Sequence, residues 1–303
     1  MSEIQGPAPA PAPAPRGPLG VLAALDRRFI YLAMALAVAI PMLAPVRLPI
    51  VISKEVEAFH REIEALAPGD QVLFSFDYEP DVMAELDPMT EAILDRLFAK
   101  GVQVIAMTNY AGGVGIGQAR LEAAARRHGK TYGTDYVFLG YNPDWSGTML
   151  RLGESIKATF PVDQFGRPTS ELPLLATCDA YRDIELLVSI AGSQLSEFWA
   201  AYAGARYGQR MVSGNTAIQA IFIYPFYQSG QIKGFLGGLK GAAEYETLIE
   251  RPAFGVRGMG SQSAGHLLIV ALVIAGNAGY FIMRRKGLLQ GNRLRAVERE
   301  GRS

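Results

Sequence analysis

The chain has 303 residues and equal numbers of basic and acidic side chains, 29 Lys and Arg against 29 Asp and Glu, so its bulk charge gives no reason to expect nucleic acid as a partner. The single cysteine, Cys178, excludes a disulfide within the chain and cannot build a zinc site by itself. The charge is unevenly distributed, because residues 1–46 and 263–303 together carry ten basic and four acidic side chains, which leaves 19 basic and 25 acidic between them. Basic ends around a mildly acidic middle are typical of a membrane-tethered soluble domain.

The N-terminal region combines a proline-rich arm with an apolar segment. Alternating proline and alanine between residues 7 and 15 favour an extended conformation, so we expect residues 1–28 to form a disordered cytoplasmic arm. The next 18 residues, 29–46, contain no charge and are long enough to cross a hydrocarbon core at about 1.5 Å per residue. We interpret them as a first transmembrane helix, with a cleaved signal peptide as the alternative.

A second apolar segment, 265–283, ends directly at the basic cluster 284–286, which opens the basic tail 284–303. Basic residues also precede the first span, so the positive-inside rule places both termini in the cytoplasm and residues 47–262 outside it. The sequence therefore predicts a two-pass plasma-membrane protein embedded in the lipid bilayer. Asn277 within the second span is typical of helix–helix contact, which indicates a membrane-protein partner through the spans.

Helical and strand-like periodicities alternate between the spans. One helix has clear start and stop signals, with Asp87 as its predicted N-cap, Pro88 at its first position and Gly101 beyond its end. The predicted helices are 56–66, 88–100, 118–128, 147–160, 195–202 and 235–249, and the predicted strands are 72–76, 102–107, 135–140, 172–176, 184–190 and 217–224.

Strands joined by helical crossovers are typical of a parallel sheet that is covered on both faces. We therefore predict a Rossmann-like, three-layer α/β domain with a largely parallel sheet, flanked by two transmembrane helices. In such sheets ligands bind beyond the carboxyl ends of the strands. Polar and glycine residues follow the predicted strands there, and our candidate ligand-binding residues are Asp77, Glu79, Asn109, Gly112, Gly113, Gly115, Gly117, Asn142, Asp144 and Ser193.

The glycines at 112, 113, 115 and 117 lie between a predicted strand and a predicted helix, where bare backbone amides could hold an anion. Their spacing is not the G-x-G-x-x-G dinucleotide pattern, and the lysine of a P-loop is missing. A mobile or tightly packed turn is the alternative to a ligand-binding loop.

Three carboxylates, Asp77, Glu79 and Asp81, alternate after the first predicted strand. An extended backbone would point all three to one side, where they could bind magnesium or calcium. A solvated acidic loop is the alternative interpretation. Ser193 follows Gly192 at a strand-to-helix turn, but without the second glycine of a nucleophile elbow it is equally suited to capping a helix.

The glycine-rich segment 234–241 follows an aromatic run at 221–227, and small residues at spacings of three and four let another backbone approach. Internal packing, a protein partner and the membrane surface all fit this pattern.

Two function hypotheses remain from the sequence. The first is a membrane-anchored extracytoplasmic module that binds a polar ligand or a protein partner, as a single chain or as a subunit of a membrane assembly. The alternative is a membrane-tethered hydrolase or transferase that uses the strand-end carboxylates, with or without a divalent metal.

Overall fold

The computed structural model of the protein describes residues 26–44 and 49–285. Contacts divide the chain into two compact units, one of them Val46–Met259 and the other Met1–Pro45 with Gly260–Ser303. Of the predicted N-terminal arm 1–28, residues 1–25 lie outside the described ranges, and of the predicted basic tail 284–303, residues 286–303 do.

An all-parallel sheet of six strands with flanking helices forms the centre of the unit Val46–Met259, which confirms the predicted α/β class. The first strand, β1, is buried along its whole length, as expected for a parallel strand covered on both faces. The strands are β1 (Gln71–Asp77), β2 (Gln103–Thr108), β3 (Tyr136–Tyr141), β4 (Leu186–Ala191), β5 (Met211–Asn215) and β6 (Phe235–Gly237).

The helices follow the chain between and beyond these strands, and several short 3-10 turns connect them. A π-helical segment, Ala200–Ala205, extends the seventh helix. The helices are α1 (Arg27–Leu43), α2 (Lys54–Glu64), α3 (Met83–Ala99), α4 (Gly113–Arg127), α5 (Trp145–Arg151), α6 (Ile156–Thr159), α7 (Leu195–Trp199), α8 (Ala217–Gln228), α9 (Gly238–Leu248) and α10 (Phe254–Arg285).

Two apolar clusters cover the two faces of the sheet. Successive side chains of a strand point to opposite faces, so Phe74 and Phe76 of β1 belong to one cluster and Leu73 belongs to the other. The first cluster includes residues of α2, α3, α4 and α9, and the second includes residues of α5, α6 and α7. The domain therefore has the predicted three layers, helix, sheet and helix.

The strand order across the sheet is β3-β2-β1-β4-β5-β6. The chain builds the sheet outward from β1 to β3, then returns to the centre and builds outward again from β4 to β6. This is the order of a doubly wound Rossmann sheet, and the reversal lies between β1 and β4. A crevice is expected beyond the carboxyl ends of these two central strands.

Two of the predicted strands are wrong. Residues 217–224 lie in helix α8, where Thr216 caps the first turn by accepting a hydrogen bond from the Gln219 backbone N–H. Their run of isoleucine and aromatic residues favours a strand by composition. In the structure Thr216 caps a helix instead, and only one side of that helix is buried, since Ile223 is buried while Phe222 and Tyr224 are exposed. Residues 172–176 include the 3-10 turn Pro173–Ala176, which begins at a proline.

Several predicted boundaries are also wrong. Helix α3 begins at Met83, so Asp87 and Pro88 lie inside it and Asp87 is not its N-cap. The predicted helix 147–160 consists of α5 and α6, and the start of the predicted helix 235–249 is strand β6. Strand β5 was not predicted, because its five residues include a serine, a glycine and an asparagine and lack an apolar run.

Helix α10 contains the segment Phe254–Ile282, which is long and apolar enough to cross a membrane by length and composition. It includes the predicted second span, 265–283, up to Ile282. Among the described residues it is the one helix of this kind. Helix α1 has 17 residues with Pro41 inside it, and the predicted first span, 29–46, extends beyond it into residues outside the described ranges.

Candidate ligand-binding site

A cavity of about 480 Å³ lies at the point where the strand order reverses. Its walls come from segments that follow β2 and β4 and from three helices that cross the same end of the sheet. The residues that line it are Asn109, Tyr110, Trp145, Gly192, Ser193, Gln194, Leu195, Phe198 and Gln219. The geometry therefore places the cavity where doubly wound sheets bind ligands.

Asp77 ends β1 and is fully buried beneath this cavity wall. Its Oδ1 accepts hydrogen bonds from the Asn109 backbone N–H at 2.9 Å and from Asn109 Nδ2 at 3.0 Å. Its Oδ2 accepts from Ser75 Oγ at 2.7 Å and from Trp199 Nε1 at 2.9 Å. Burial raises the pKa of Asp77, and these hydrogen bonds oppose the increase. Since both oxygens are occupied by donors, the carboxylate positions its neighbours and is not free to act as a base.

Asn109 is the neighbour that Asp77 places at the cavity wall. The side chain is only 7% exposed, and its amide nitrogen is held by Asp77. Its carbonyl oxygen, Oδ1, is buried and has no hydrogen-bond partner among the described residues. A buried acceptor without a donor costs free energy, and a ligand that donates a hydrogen bond there would remove that cost.

Gln219 supplies a second amide from α8, on another wall of the cavity. Its Oε1 is likewise buried and unpartnered within the described residues. Beneath this wall, Asn215 at the end of β5 donates to the Ala191 carbonyl at 3.2 Å and to Ser196 Oγ at 2.9 Å. The ends of β4 and β5 and the start of α7 are therefore joined by a buried polar layer below the cavity.

An aromatic wall completes the cavity. The rings of Trp145 and Phe198 stack with centroids 4.5 Å apart and planes inclined by 14°, and Tyr202 meets Trp145 edge-on at 6.0 Å. Tyr110 also lines the cavity. Flat aromatic surface and amide groups on neighbouring walls suit a ligand that has both an apolar face and hydrogen-bonding groups.

None of the nine lining residues carries a charge. The carboxylate of Asp77 is not a lining residue, because it is fully buried and both of its oxygens accept hydrogen bonds from protein donors. A charged ligand would give up its water without gaining an opposite charge from the lining side chains. The arrangement therefore favours a neutral ligand.

The four candidate glycines are not part of this lining. Helix α4 begins at Gly113, so the predicted loop at residues 112–117 is mostly the first turn of a helix. A Cβ on Gly113 would lie 2.8 Å from the Phe76 carbonyl oxygen, and one on Gly117 would lie 3.0 Å from the Phe76 ring. These two glycines let α4 pack closely on β1. A Cβ on Gly112 would meet the flexible Glu79 side chain, whereas Gly115 faces open space.

The three candidate carboxylates after β1 do not form a cluster. Pro80–Val82 forms a 3-10 turn in place of the extended backbone that the metal hypothesis requires, and Glu79 and Asp81 are exposed while Asp77 is buried. Within residues 26–44 and 49–285, no three His, Cys, Asp or Glu side chains are grouped so that they could hold a metal ion.

Asn142 and Asp144 shape the turn between β3 and α5. The Asp144 side chain caps α5 by accepting from the Gly147 backbone N–H at 3.0 Å, and it pairs with Arg151 at 2.9 Å. The hydrogen bond from Arg151 lowers the pKa of Asp144. Asn142 Oδ1 accepts from the Asp144 backbone N–H at 3.1 Å. Neither residue lines the cavity. The enzyme hypothesis requires the strand-end carboxylates, Asn109 and Asn142 to meet in one pocket. Of these residues, only Asn109 lines the cavity.

Ser193 and Asn109 are the candidate residues that do line the cavity. Sequence reasoning did not select the other seven lining residues, which are Tyr110, Trp145, Gly192, Gln194, Leu195, Phe198 and Gln219. Phe198 lies in the predicted helix 195–202, to which the sequence assigned no ligand contact, and Gln219 lies in the segment 217–224 that was wrongly predicted as a strand. The Thr216 cap followed by an amide in an otherwise apolar run is the signal that could have identified Gln219.

Comparisons of the chain with models of protein families, with curated proteins and with solved structures found no match.

Proposed function

We propose that the protein is a membrane-anchored binding module whose α/β domain takes a neutral, hydrogen-bonding small molecule in the crevice beyond β1 and β4. The observation that carries this proposal is that Asn109 and Gln219, two lining residues of a cavity without a charged lining residue, each have a buried amide oxygen without a hydrogen-bond partner among the described residues. Amide oxygens accept hydrogen bonds from hydroxyl or amino groups, which are the groups expected on the ligand.

The size and the aromatic wall of the cavity support a particular class of ligand. A volume of about 480 Å³ lies within the range of roughly 300–1,000 Å³ found for small-molecule sites. The stacked Trp145 and Phe198 rings offer a flat apolar surface. A sugar or a nucleoside combines hydroxyl donors with a flat or apolar face, and we propose this class of neutral compound as the ligand.

The membrane part of the proposal rests on helix α10 and on the charge pattern of the sequence. The segment Phe254–Ile282 has the length and apolar composition of a span, and the basic residues 284–286 follow directly. We propose that α1 with its following residues forms a second span, that both termini lie in the cytoplasm and that the binding domain faces outward. An outward-facing binding domain held by two spans suits a ligand-sensing subunit of a membrane assembly.

The two tryptophans of the chain offer a direct test of ligand binding. Trp145 lines the cavity, and Trp199 donates to Asp77, which in turn holds Asn109. Tryptophan emission of the detergent-solubilised full chain is titrated with adenosine and with glucose, and in parallel with AMP and glucose 6-phosphate. We expect a saturable change with at least one neutral compound and a weaker response to its phosphorylated counterpart.

A matched pair of variants assigns that response to the crevice. Gln219→Ala removes an amide of the cavity wall, whereas Gln228→Ala removes an exposed amide at the other end of the same helix. Loss of one hydrogen bond to the ligand weakens binding by about 0.5–1.5 kcal/mol, which is roughly a twofold to tenfold change in Kd. Equal effects of the two substitutions, or stronger binding of the phosphorylated compounds, would overturn the proposal.

A further inference from the structure

Helix α8 carries an apolar stripe on the outside of the α/β domain. Ile218, Ile221 and Phe222 are 75%, 72% and 56% exposed, and Pro225 is also exposed. These four residues lie at positions i, i+3, i+4 and i+7, so they share one face of the helix. We call them the α8 outer face. This spacing is the one at which a helix packs its apolar side chains against another element.

The other side of α8 is already packed in the core, where Ile223 is completely buried. None of the twelve residues Ala217–Gln228 is charged, whereas α4 of the same domain has four charged residues among its fifteen. A surface helix normally has one apolar face and one polar face. A helix that is apolar on both sides is therefore expected to have a second packing partner.

A groove of about 420 Å³ runs along one side of the α8 outer face. Ile221 belongs to both surfaces, and Val56, Tyr224 and Phe235 add apolar area inside the groove. Tyr224 is 44% exposed. The apolar surface on offer to a partner is therefore wider than the four residues of the stripe.

Three charged side chains also line the groove, and they restrict what can cover it. The Glu244 carboxylate is fully buried, accepts from the Ser53 N–H at 2.9 Å and from Ser53 Oγ at 2.6 Å, and pairs with Lys240, so its charge is compensated within the domain. Glu55 is half-buried at the same groove. Acyl chains would remove water from Glu55, and anionic headgroups would repel it, so lipid is a poor occupant. A protein contact can leave Glu55 and Lys240 at its rim, where charged groups keep their water.

A second copy of the chain meets these conditions. In a two-fold symmetric contact the same patch of each copy meets the other, so the patch must be complementary to itself. A stripe without charges fulfils this requirement, because contact with an identical stripe brings no like charges together. Two helices can pack in this way along their apolar side chains.

The size of the patch also fits a contact between two copies. The α8 outer face and Tyr224 offer on the order of 400 Å² per copy, about half of the roughly 800 Å² that each partner buries in a standard interface. Polar residues around an apolar centre supply the remainder in interfaces of this kind. An apolar centre of this size indicates a reversible dimer that depends on concentration, since obligate dimers bury more.

We infer that two copies of the chain dimerise through the α8 outer face, with α8 of one copy packed against α8 of the other across a two-fold axis. This inference goes beyond ligand binding and does not depend on which compound occupies the crevice. A lipid surface is the competing occupant.

The first test is disulfide cross-linking of the full chain in lipid vesicles. Ile221→Cys or Phe222→Cys places a thiol on the α8 outer face, and Ala119→Cys, at an exposed position of α4, is the matched control. The native Cys178 is 1% exposed, and burial raises the pKa of its thiol to about 12, so it contributes little cross-linking in the folded protein. We expect a covalent dimer that is severalfold more abundant at position 221 or 222 than at position 119. Equal yields at all three positions would overturn the inference.

A second test shows whether the α8 outer face holds the copies together. Donor and acceptor dyes are attached to separate preparations of Ala119→Cys, which are reconstituted together, and energy transfer is measured as lipid is added. We expect transfer above that of randomly distributed chains, and Phe222→Glu should lower it severalfold, because it places a carboxylate from each copy in the contact. Gln228→Glu, at the exposed end of the same helix, should leave the transfer unchanged. Transfer at the random level throughout, or transfer that persists in Phe222→Glu, would overturn the inference.

Lipids that carry a nitroxide near the headgroup identify the competing occupant. A dye at position 222 that these lipids quench severalfold more strongly than a dye at position 119, with no cross-link above the control, would assign the face to lipid and overturn the inference. A cross-link at position 222 without such quenching supports the dimer.

Discussion

Asp77 shows how one buried side chain organises the candidate site. Its carboxylate joins the end of β1 to Asn109 after β2 and to Trp199 in α7, and all of its partners donate hydrogen bonds. The Asp77 backbone carbonyl also accepts from the Gly192 N–H at 3.2 Å. The residue thus fixes two walls of the cavity, and a ligand would meet these walls already in place.

Replacing Asp77 by asparagine keeps the shape of the side chain but turns one oxygen into an amino group. That amino group must face a donor, either the Trp199 indole or the Asn109 amide, so one buried donor loses its acceptor. We expect Asp77→Asn to lower the free energy of unfolding by about 1–3 kcal/mol in denaturant titrations of the solubilised chain. Asp81→Asn, at an exposed position of the following turn, serves as the control, and an equal effect of both substitutions would contradict the role assigned to Asp77.

At this scale the sequence indicated the position of Asp77 but not its role. A carboxylate at the end of a buried strand predicts a place at the binding edge of the sheet. Its indole partner, Trp199, lies 122 residues away along the chain, and no local pattern connects the two. The metal hypothesis was based on residue types that bind magnesium or calcium, and it assumed an extended backbone from Asp77 to Asp81. Residues Pro80–Val82 form a 3-10 turn there instead.

Helix α4 illustrates why glycines between a strand and a helix need not bind a ligand. Gly113 and Gly117 are on the side of the helix that packs on β1, where a side chain would meet the Phe76 carbonyl or ring. Gly115 points to the other side, and a Cβ there would contact nothing. Close packing accounts for two of the glycines and leaves the third unconstrained by its neighbours.

Two valine substitutions distinguish these roles. Gly117→Val forces a branched side chain against the Phe76 and Phe138 rings, and we expect a loss of about 1–3 kcal/mol in unfolding free energy from overpacking. Gly115→Val at the open position should change it by less than about 0.5 kcal/mol. Helical circular dichroism followed during thermal unfolding provides the measurement. A loss at position 115 that equals the loss at position 117 would show that the helix needs both glycines.

Helix α8 marks the limit of prediction at the scale of elements. Long apolar runs next to clear turns, such as 72–76 and 102–107, were predicted as strands and are strands. The run at 217–224 has the same composition but is exposed on one side of a helix. An apolar composition does not show whether a segment will be buried or exposed. A helix that is apolar on both sides therefore resembles a buried strand in the sequence.

At the scale of the whole molecule, the parallel α/β domain could be predicted because alternating strands and helices permit few other arrangements. The short strands β5 and β6 could not be predicted, and without β5 the position of Asn215 could not be inferred. Membrane topology depends on the distribution of charge near the apolar segments and not on the fold of the domain.

The proposed topology predicts a specific pattern of proteolysis. Protease added to intact cells, with any outer layer made permeable, should cut the α/β domain and spare a tag placed after residue 303, because the proposed orientation puts the basic residues 284–286 and the tail after them in the cytoplasm. Immunoblots for the tag and for the domain give the result, and detergent-lysed cells show that the tag itself can be cleaved. Removal of the tag from intact cells while the domain survives would reverse the orientation.

The central position of β1 also affects how the chain is made. During synthesis β1, β2 and β3 emerge first, but β1 pairs with β4 on its other side, and β4 begins only at Leu186. Until then one edge of β1, with its row of backbone N–H and C=O groups, has no partner strand. Pairing over such a long sequence separation is slow and exposes strand edges to other chains. We therefore expect the nascent domain to depend on chaperone protection until β4 has been translated, and the crevice to form late in folding.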